Sequence, residues 1–295
     1  MRQMRANILL LIAATIWGTA FVAQSISMQY IGPFLFGGVR FALGSFVLII
    51  PAFLLKRRVR HASVKTTLTA GAVVGGVLFV AASFQQTGIQ YTTIGKAGFI
   101  TCLYIVIVPL IGIFLKHKAG KSVWLGCAVA VVGLYLLSIK GDFTISYGDF
   151  LMLLGAFVWS AHILVIDHYV KQVDAIQLSC LQFAVCATFS MIAALFFEPI
   201  TLIGLDGALP SILFAGIVSV GFAYTLQVIA QKDAKPAHAA IILSLETVFA
   251  ALSGWLILGE HLTEREIIGC ALMLAGMLIS QLGPLVRSGR RKFGR

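Results

Sequence analysis

Read from its N-terminus, the chain alternates long apolar runs with short polar breaks. The runs fall near 7–25, 33–55, 66–88, 95–115, 122–139, 148–166, 176–197, 208–230, 237–258 and 266–286. Each is close to the ~20 helical residues that cross a hydrocarbon core. The pattern therefore predicts an all-α integral membrane protein with ten transmembrane helices. The breaks are too short to hold an inserted soluble domain.

Composition sharpens the class. Of 295 residues 59% are hydrophobic and 11% charged, with a mean hydropathy of +0.98, whereas a soluble domain is about 25% charged. Such a chain would not stay in water. Its net charge of +11 reads as a topology signal, because positively charged loops stay on the cytoplasmic side. With the N-terminus inside, eighteen Lys and Arg residues fall on cytoplasmic segments. Lys96, Lys140 and Arg265 fall on the other side. Both termini are expected in the cytoplasm, and "RSGRRKFGR" at the end is read as a basic stop after the last span. Nucleic acid is not an expected partner; the bilayer is. "MRQMRANILLLIAATIWG" resembles a signal peptide, but its apolar run continues past Trp17 without a small-residue cleavage site, so it is kept as the first span. Cys102, Cys127, Cys180, Cys186 and Cys270 lie inside predicted spans without CxxC spacing or a nearby His, and are read as small buried hydrophobes. No metal or cofactor is expected.

The chain also repeats itself. Ala14 and Trp17 match Ala156 and Trp159 at an offset of 142, as does Phe41 with Phe183. Gly126, Cys127, Ala128 and Gly133 recur 143 residues later in "IGCALMLAG". Two units follow, 1–141 and 142–286, with a basic tail at 287–295. Five spans per unit is an odd number, so the second unit must enter the membrane inverted relative to the first. Inverted repeats are the architecture of many secondary transporters, with the substrate site near the midplane at their interface.

The stretches "LLLIAATIWGTAFVAQ", "FLFGGVRFAL", "FQQTGIQYTTIGKAGFITCLYIVIVPLIG" and "SLETVFAALSGWLILGEHLTEREIIGCALMLAG" resemble the EamA-like proteins of the drug/metabolite transporter superfamily. The likeness covers nearly the whole chain. It departs at Thr247, where the second unit of that family usually carries proline after the glutamate; a smoother helix is expected there. The resemblance implies a ten-span carrier of the bacterial inner membrane, often an exporter of amino acids or related metabolites. It does not name the substrate.

Polar groups within a bundle should face each other or a wet cavity. Thr101 and Tyr104 on the fourth span, Trp159 and His162 on the sixth, and Tyr224 and Gln227 on the eighth are each three residues apart, hence on one helix face. Trp17, Gln85 and Gln86 join them from the first and third spans, and Glu246 from the ninth. An aromatic wall with sparse hydrogen-bonding groups suits a small amphipathic solute. For each of these the competing role is packing or an interhelical hydrogen bond. His162 is either a proton carrier or a neutral core histidine. Arg40 either snorkels outward or reaches Glu246; Gln182 matches it at the 142 offset. Glu246 either binds a substrate amine or exchanges a proton, or else locks the bundle through Arg40 or across helices. Gly71 to Gly76, Gly126, Gly133, Gly269 and Gly276 allow close helix contact. The fifth and tenth spans carry no candidate site residue; the resemblance implies that they lie away from the cavity, where they could support the bundle or a dimer, so either a monomer or a homodimer is compatible.

An enzyme is disfavoured, since HExxH and GxSxG are absent and "AGKS" lacks the first glycine of a phosphate loop, with Leu115 in its place. Asp142 and Asp149 are read as solvated loop charge. A lipid scramblase or a channel-like facilitator is the alternative to a carrier. No acidic cluster suggests a sodium site, which leaves proton exchange or plain facilitated exchange.

Overall fold

The computed structural model describes residues 2–54, 63–92, 94–116, 119–139, 146–199, 205–258 and 263–293. The basic loop around Arg57, Lys118, Lys140 and Asp142 lie outside them. Nearly every described residue is helical, as lipid demands of a chain that must close its backbone hydrogen bonds internally. The helices are α1 (Arg2–Ser27), α2 (Pro33–Leu54), α3 (Val64–Gly88), α4 (Ile94–Cys102), α5 (Tyr104–Phe114), α6 (Lys121–Ser138), α7 (Tyr147–Tyr169), α8 (Ala175–Phe197), α9 (Leu205–Leu213), α10 (Thr225–Gln231), α11 (Pro236–Leu243), α12 (Glu246–Leu258) and α13 (Glu264–Phe293). Side-chain caps set several starts. Ser63 accepts from the Thr66 amide before α3, Ser146 forms a capping box with Asp149 before α7, and Asp174 accepts from Ile176 and Gln177 before α8.

Eight of these segments, taken as continuous units, are long and apolar enough to cross a membrane among the described residues. The fifth and tenth expected spans coincide with α6 and α13 and fall outside those eight. Two spans are broken. The fourth splits into α4 and α5 at Leu103, and the ninth into α11 and α12 at Ser244–Leu245. The breaks correspond: Leu103 donates to the Ile100 carbonyl, and Leu245, 142 residues on, donates to the Ile242 carbonyl, the same tightened turn twice. The smoother helix expected at Thr247 is therefore not found. The ninth span turns without a proline, and the Thr247 hydroxyl donates to the Ser244 carbonyl at 2.8 Å, which satisfies a group that the break releases. The eighth span departs differently. Between α9 and α10 it widens into a π-helical segment, Phe214–Tyr224, a rare form that recurs at functional sites.

Packing is symmetric. α2 lies on α8; α3 lies on α7 and α8 as the π segment lies on α1 and α2; α7 meets α4 and α5 as α1 meets α11 and α12. Lipid supplies no hydrophobic drive between helices, so close backbone approach at small residues has to supply attraction. α6 and α13 show this at its tightest. A Cβ on Gly126 would stand 2.6 Å from the Gly276 carbonyl, and one on Gly133 would stand 2.6 Å from that of Gly269. The glycine that comes first in one helix meets the one that comes last in the other, so these equivalent helices run antiparallel. That is the relation an inverted repeat requires. Phe41 and Phe183, equivalents as well, meet with ring centres 6.2 Å apart in a tilted arrangement.

Candidate functional site

At the seam between the halves lies a cavity lined by Trp17, Phe21, Gln24, Arg40, Gln85, Thr101, Tyr104, Trp159, Ile163, Ser219, Tyr224, Gln227, Leu243 and Glu246. Ten of the fourteen form five pairs at the 142 offset: 17 with 159, 21 with 163, 85 with 227, 101 with 243 and 104 with 246. The cavity thus straddles the pseudo-two-fold axis. Among the described residues, none of α6 or α13 lines it.

The broken helices build its floor. Tyr104 opens α5 and Glu246 opens α12, and the two equivalents meet: the Tyr104 hydroxyl donates to the Glu246 carboxyl at 3.0 Å. The Cys102 thiol donates to the same oxygen at 3.4 Å. Glu246 is 5% exposed, so these donors, with the cavity itself, replace the water that a carboxyl in lipid would lack. Gly18 lets α12 come this close to α1, since a Cβ there would stand 2.6 Å from the Glu246 carbonyl. Thr19 and Ser253 hold the contact one turn away with hydroxyls at 3.0 Å.

Aromatic rings form the wall. Trp17 and Tyr224 approach to 4.5 Å between ring centres, and Trp159 stacks on Tyr224 at 6.1 Å. Tyr224 closes the π segment, whose wider turn also brings Ser219 onto the lining. Neither indole nitrogen has a hydrogen-bond partner within the protein, and the Thr101 hydroxyl and the Gln227 carbonyl also lack one. All four groups belong to lining residues.

Arg40 follows neither expectation. It is 3% exposed, so it does not snorkel, and it makes no ion pair with Glu246. Its Nη1 donates to the Gln24 side chain at 2.8 Å, and the guanidinium lies 5.0 Å from the Phe36 ring centre and 4.9 Å from that of Phe41. Two aromatic faces can stabilise a desolvated cation by about 2 kcal/mol or more each. Its Nε remains without a partner, and the side chain lines the cavity opposite in charge to Glu246.

Of the residues selected from sequence, Trp17, Gln85, Thr101, Tyr104, Trp159, Tyr224, Gln227, Glu246 and Arg40 converge on this cavity. Gln86 and His162 do not line it. Gln86 is turned towards the Gln24 carbonyl at 3.4 Å, and His162 Nε2 bonds to Gln182 Oε1 at 3.0 Å. Sequence reasoning missed Phe21, Gln24, Ile163, Ser219 and Leu243. Gln24 carried a readable signal, as a polar residue two turns beyond Trp17 on the same helix; the apolar members carried none. Asp149 is also not a merely solvated loop charge: it is 4% exposed and accepts from Thr92 as well as closing its capping box.

The sequence profile of the "EamA-like transporter family" matches residues 4–139 and 146–281. An uncharacterized transporter of Archaeoglobus fulgidus is 32% identical over 286 residues, 95% of this chain and 87% of its own. The uncharacterized transporter YoaV of Bacillus subtilis is 23% identical over 90% and 92% of the two chains, and the uncharacterized inner membrane transporter YedA of Escherichia coli is 23% identical over 91% and 88%. One solved crystal structure shares the fold with a TM-score of 0.79 over 94% of this chain and 96% of its own, at 20% identity.

Proposed function

The chain belongs to the EamA-like transporter family, a multi-pass membrane transporter, and from that premise we propose that it is a secondary carrier exchanging a small zwitterionic, partly apolar metabolite by alternating access. One observation carries the reading: a guanidinium and a carboxyl, buried and unpaired with each other, line one cavity at the seam of two inverted halves. Opposite charges held apart in low dielectric are costly. A solute with an amine and a carboxylate relieves both at once, with Glu246 receiving the ammonium and Arg40 the carboxylate. Trp17, Trp159 and Tyr224 cover its apolar body, and the free indole, hydroxyl and amide groups orient it. Amino acids and their relatives have this chemistry. The distribution of Lys and Arg supports cytoplasmic termini, and in this reading the carrier, in a bacterial inner membrane, moves its solute out of the cytoplasm in exchange for a proton.

The test is counterflow in liposomes holding the purified chain, run with zwitterionic, anionic and cationic metabolites. Saturable counterflow restricted to zwitterions is expected, with Glu246→Gln still inserted and monodisperse but at least tenfold slower. Non-saturating flux, transport of labelled lipid, or an unchanged rate in Glu246→Gln would refute the assignment.

A further inference from the structure

Each half of the chain joins its first helix to its second by one buried side-chain hydrogen bond. In the first half Gln24 on α1 holds Arg40 on α2; in the second His162 on α7 holds Gln182 on α8. Arg40 and Gln182 are equivalents, seven residues into their helices, hence about 10 Å in from opposite ends of the bundle. Only the first pair opens onto the cavity. The second is sealed.

The sealed pair carries an unexplained cost. His162, Gln182 and Gln231 are each 0% exposed, and His162 Nδ1, Gln182 Nε2 and Gln231 Oε1 have no hydrogen-bond partner within the protein. An unsatisfied buried polar atom costs roughly 1–3 kcal/mol, and these three lie on α7, α8 and α10, with α10 packed against both of the others. Apolar side chains would fill this space without that cost. The cluster also adjoins the cavity. The His162 ring centre is 5.6 Å from that of Trp159 and 6.5 Å from that of Tyr224, and Gln231 donates to the carbonyl of Ile163, the residue after His162, at 2.8 Å. Trp159, Tyr224 and Ile163 are lining residues on their other side.

We propose that His162, Gln182 and Gln231 form a second solute station, closed in this conformation, which takes over the polar end of the substrate from Gln24 and Arg40 when the cavity faces the α7–α8 end. The proposal rests on the carrier reading, since exchange of conformations between inverted halves is what would open it. Because Gln182 Oε1 accepts from His162 Nε2, Nδ1 is left as an acceptor. The station therefore offers one amide donor, from Gln182, and two acceptors, His162 Nδ1 and Gln231 Oε1. A carboxylate would bind the donor and an ammonium the acceptors. The station is uncharged, so each bond to the solute has one ionised partner only, whereas Arg40 meets a carboxylate with charge on both sides and two parallel donors; the station therefore holds the solute more loosely.

The unaltered chain in liposomes provides the first test. Diethyl pyrocarbonate, with mass-spectrometric readout, should acylate His162 slowly but to completion, with exposed His168 as the fast reference. No modification of His162 long after His168 is consumed would overturn the proposal. The second test uses Thr101→Cys, which lines the open cavity, with Gln231→Cys. Both should react with a small methanethiosulfonate reagent above the background of the five native cysteines. In the double variant a bulky hydrophilic adduct placed first on the residue at 101 should slow reaction at 231, and acylation of His162, at least tenfold. Unchanged rates would mean that both ends open together and would also refute the station. Flux that saturates while His162 stays inert removes the station and keeps the carrier; mutually exclusive labelling without counterflow keeps the opening and removes the substrate reading.

Discussion

The first half of the chain brings a fixed cation to the seam, and the second brings an amide to the matching place. Arg40 is clasped between Phe36 and Phe41 and faces a cavity; Gln182 is bonded to a histidine and walled off. The frameworks around them correspond closely, down to tight turns 142 residues apart and crossed glycine pairs. Duplication therefore governs the scaffold, while the chemistry of the two halves has diverged. A carrier needs that division. Similar halves can exchange shapes at little cost, and different side chains let the two faces treat the same solute differently.

The symmetry is most severely tested at α6 and α13. Gly133→Leu and Gly269→Leu each drive a side chain against a partner backbone, and each should cost ~3 kcal/mol or more. The expected outcome is loss of monodisperse protein in both, to a similar degree, by size-exclusion chromatography; one tolerant and one lethal variant would show that the halves are not packed as equivalents. Next comes the divergence itself. Arg40→Gln makes the two halves alike and should slow counterflow about 100-fold, as loss of one partner from a buried charged contact costs 2–5 kcal/mol. Adding Gln182→Arg should restore part of the rate by moving the cation to the other half, and no recovery would confine the cation's role to the first. A smaller effect is expected at the floor. Tyr104→Phe removes the hydroxyl that the first half lends to Glu246, and the apparent KM should rise about tenfold, since a bond to a charged group is worth ~1.5 kcal/mol or more. The smallest lies at the membrane rim. Glu198 of the second half accepts from the Phe34 and Leu35 amides and so caps α2, whereas α8 is capped by its own Asp174. Glu198→Ala should lower stability by about 1 kcal/mol, seen in a thermal melt, with counterflow unaltered.

Particular residues show where legibility ended. Trp17 and Trp159 could be paired from sequence because tryptophan is rare enough for an offset to stand out. Phe21 and Ile163 form an equally symmetric pair on the lining, but they stand in apolar runs where an offset means nothing. The broken spans left no mark either. Neither Leu103 nor Ser244 is a glycine or proline, and the one proline nearby, Pro109, sits inside α5 without ending it. What the breaks do bring together is Cys102 with Ser244 and Tyr104 with Glu246, residues 142 positions apart in the chain. Arg40 shows the same limit: its cost was evident from position, but its compensation came from Phe36 and Phe41 on its own helix and Gln24 on the one before.

By itself the sequence determined the helical membrane class, the two related units and most of the polar groups at the seam. Those depend on composition, run length and spacing, which are local quantities set by the thickness and dryness of the bilayer. Which of those groups share a cavity was decided by the tertiary structure alone. Arg40 open and Gln182 sealed, Glu246 met by its own equivalent Tyr104, and His162 turned away all depend on how two inverted halves close on one another. That closure is a sum over contacts between residues as far as 234 positions apart, as Thr19 and Ser253 are, and no window of the chain contains it.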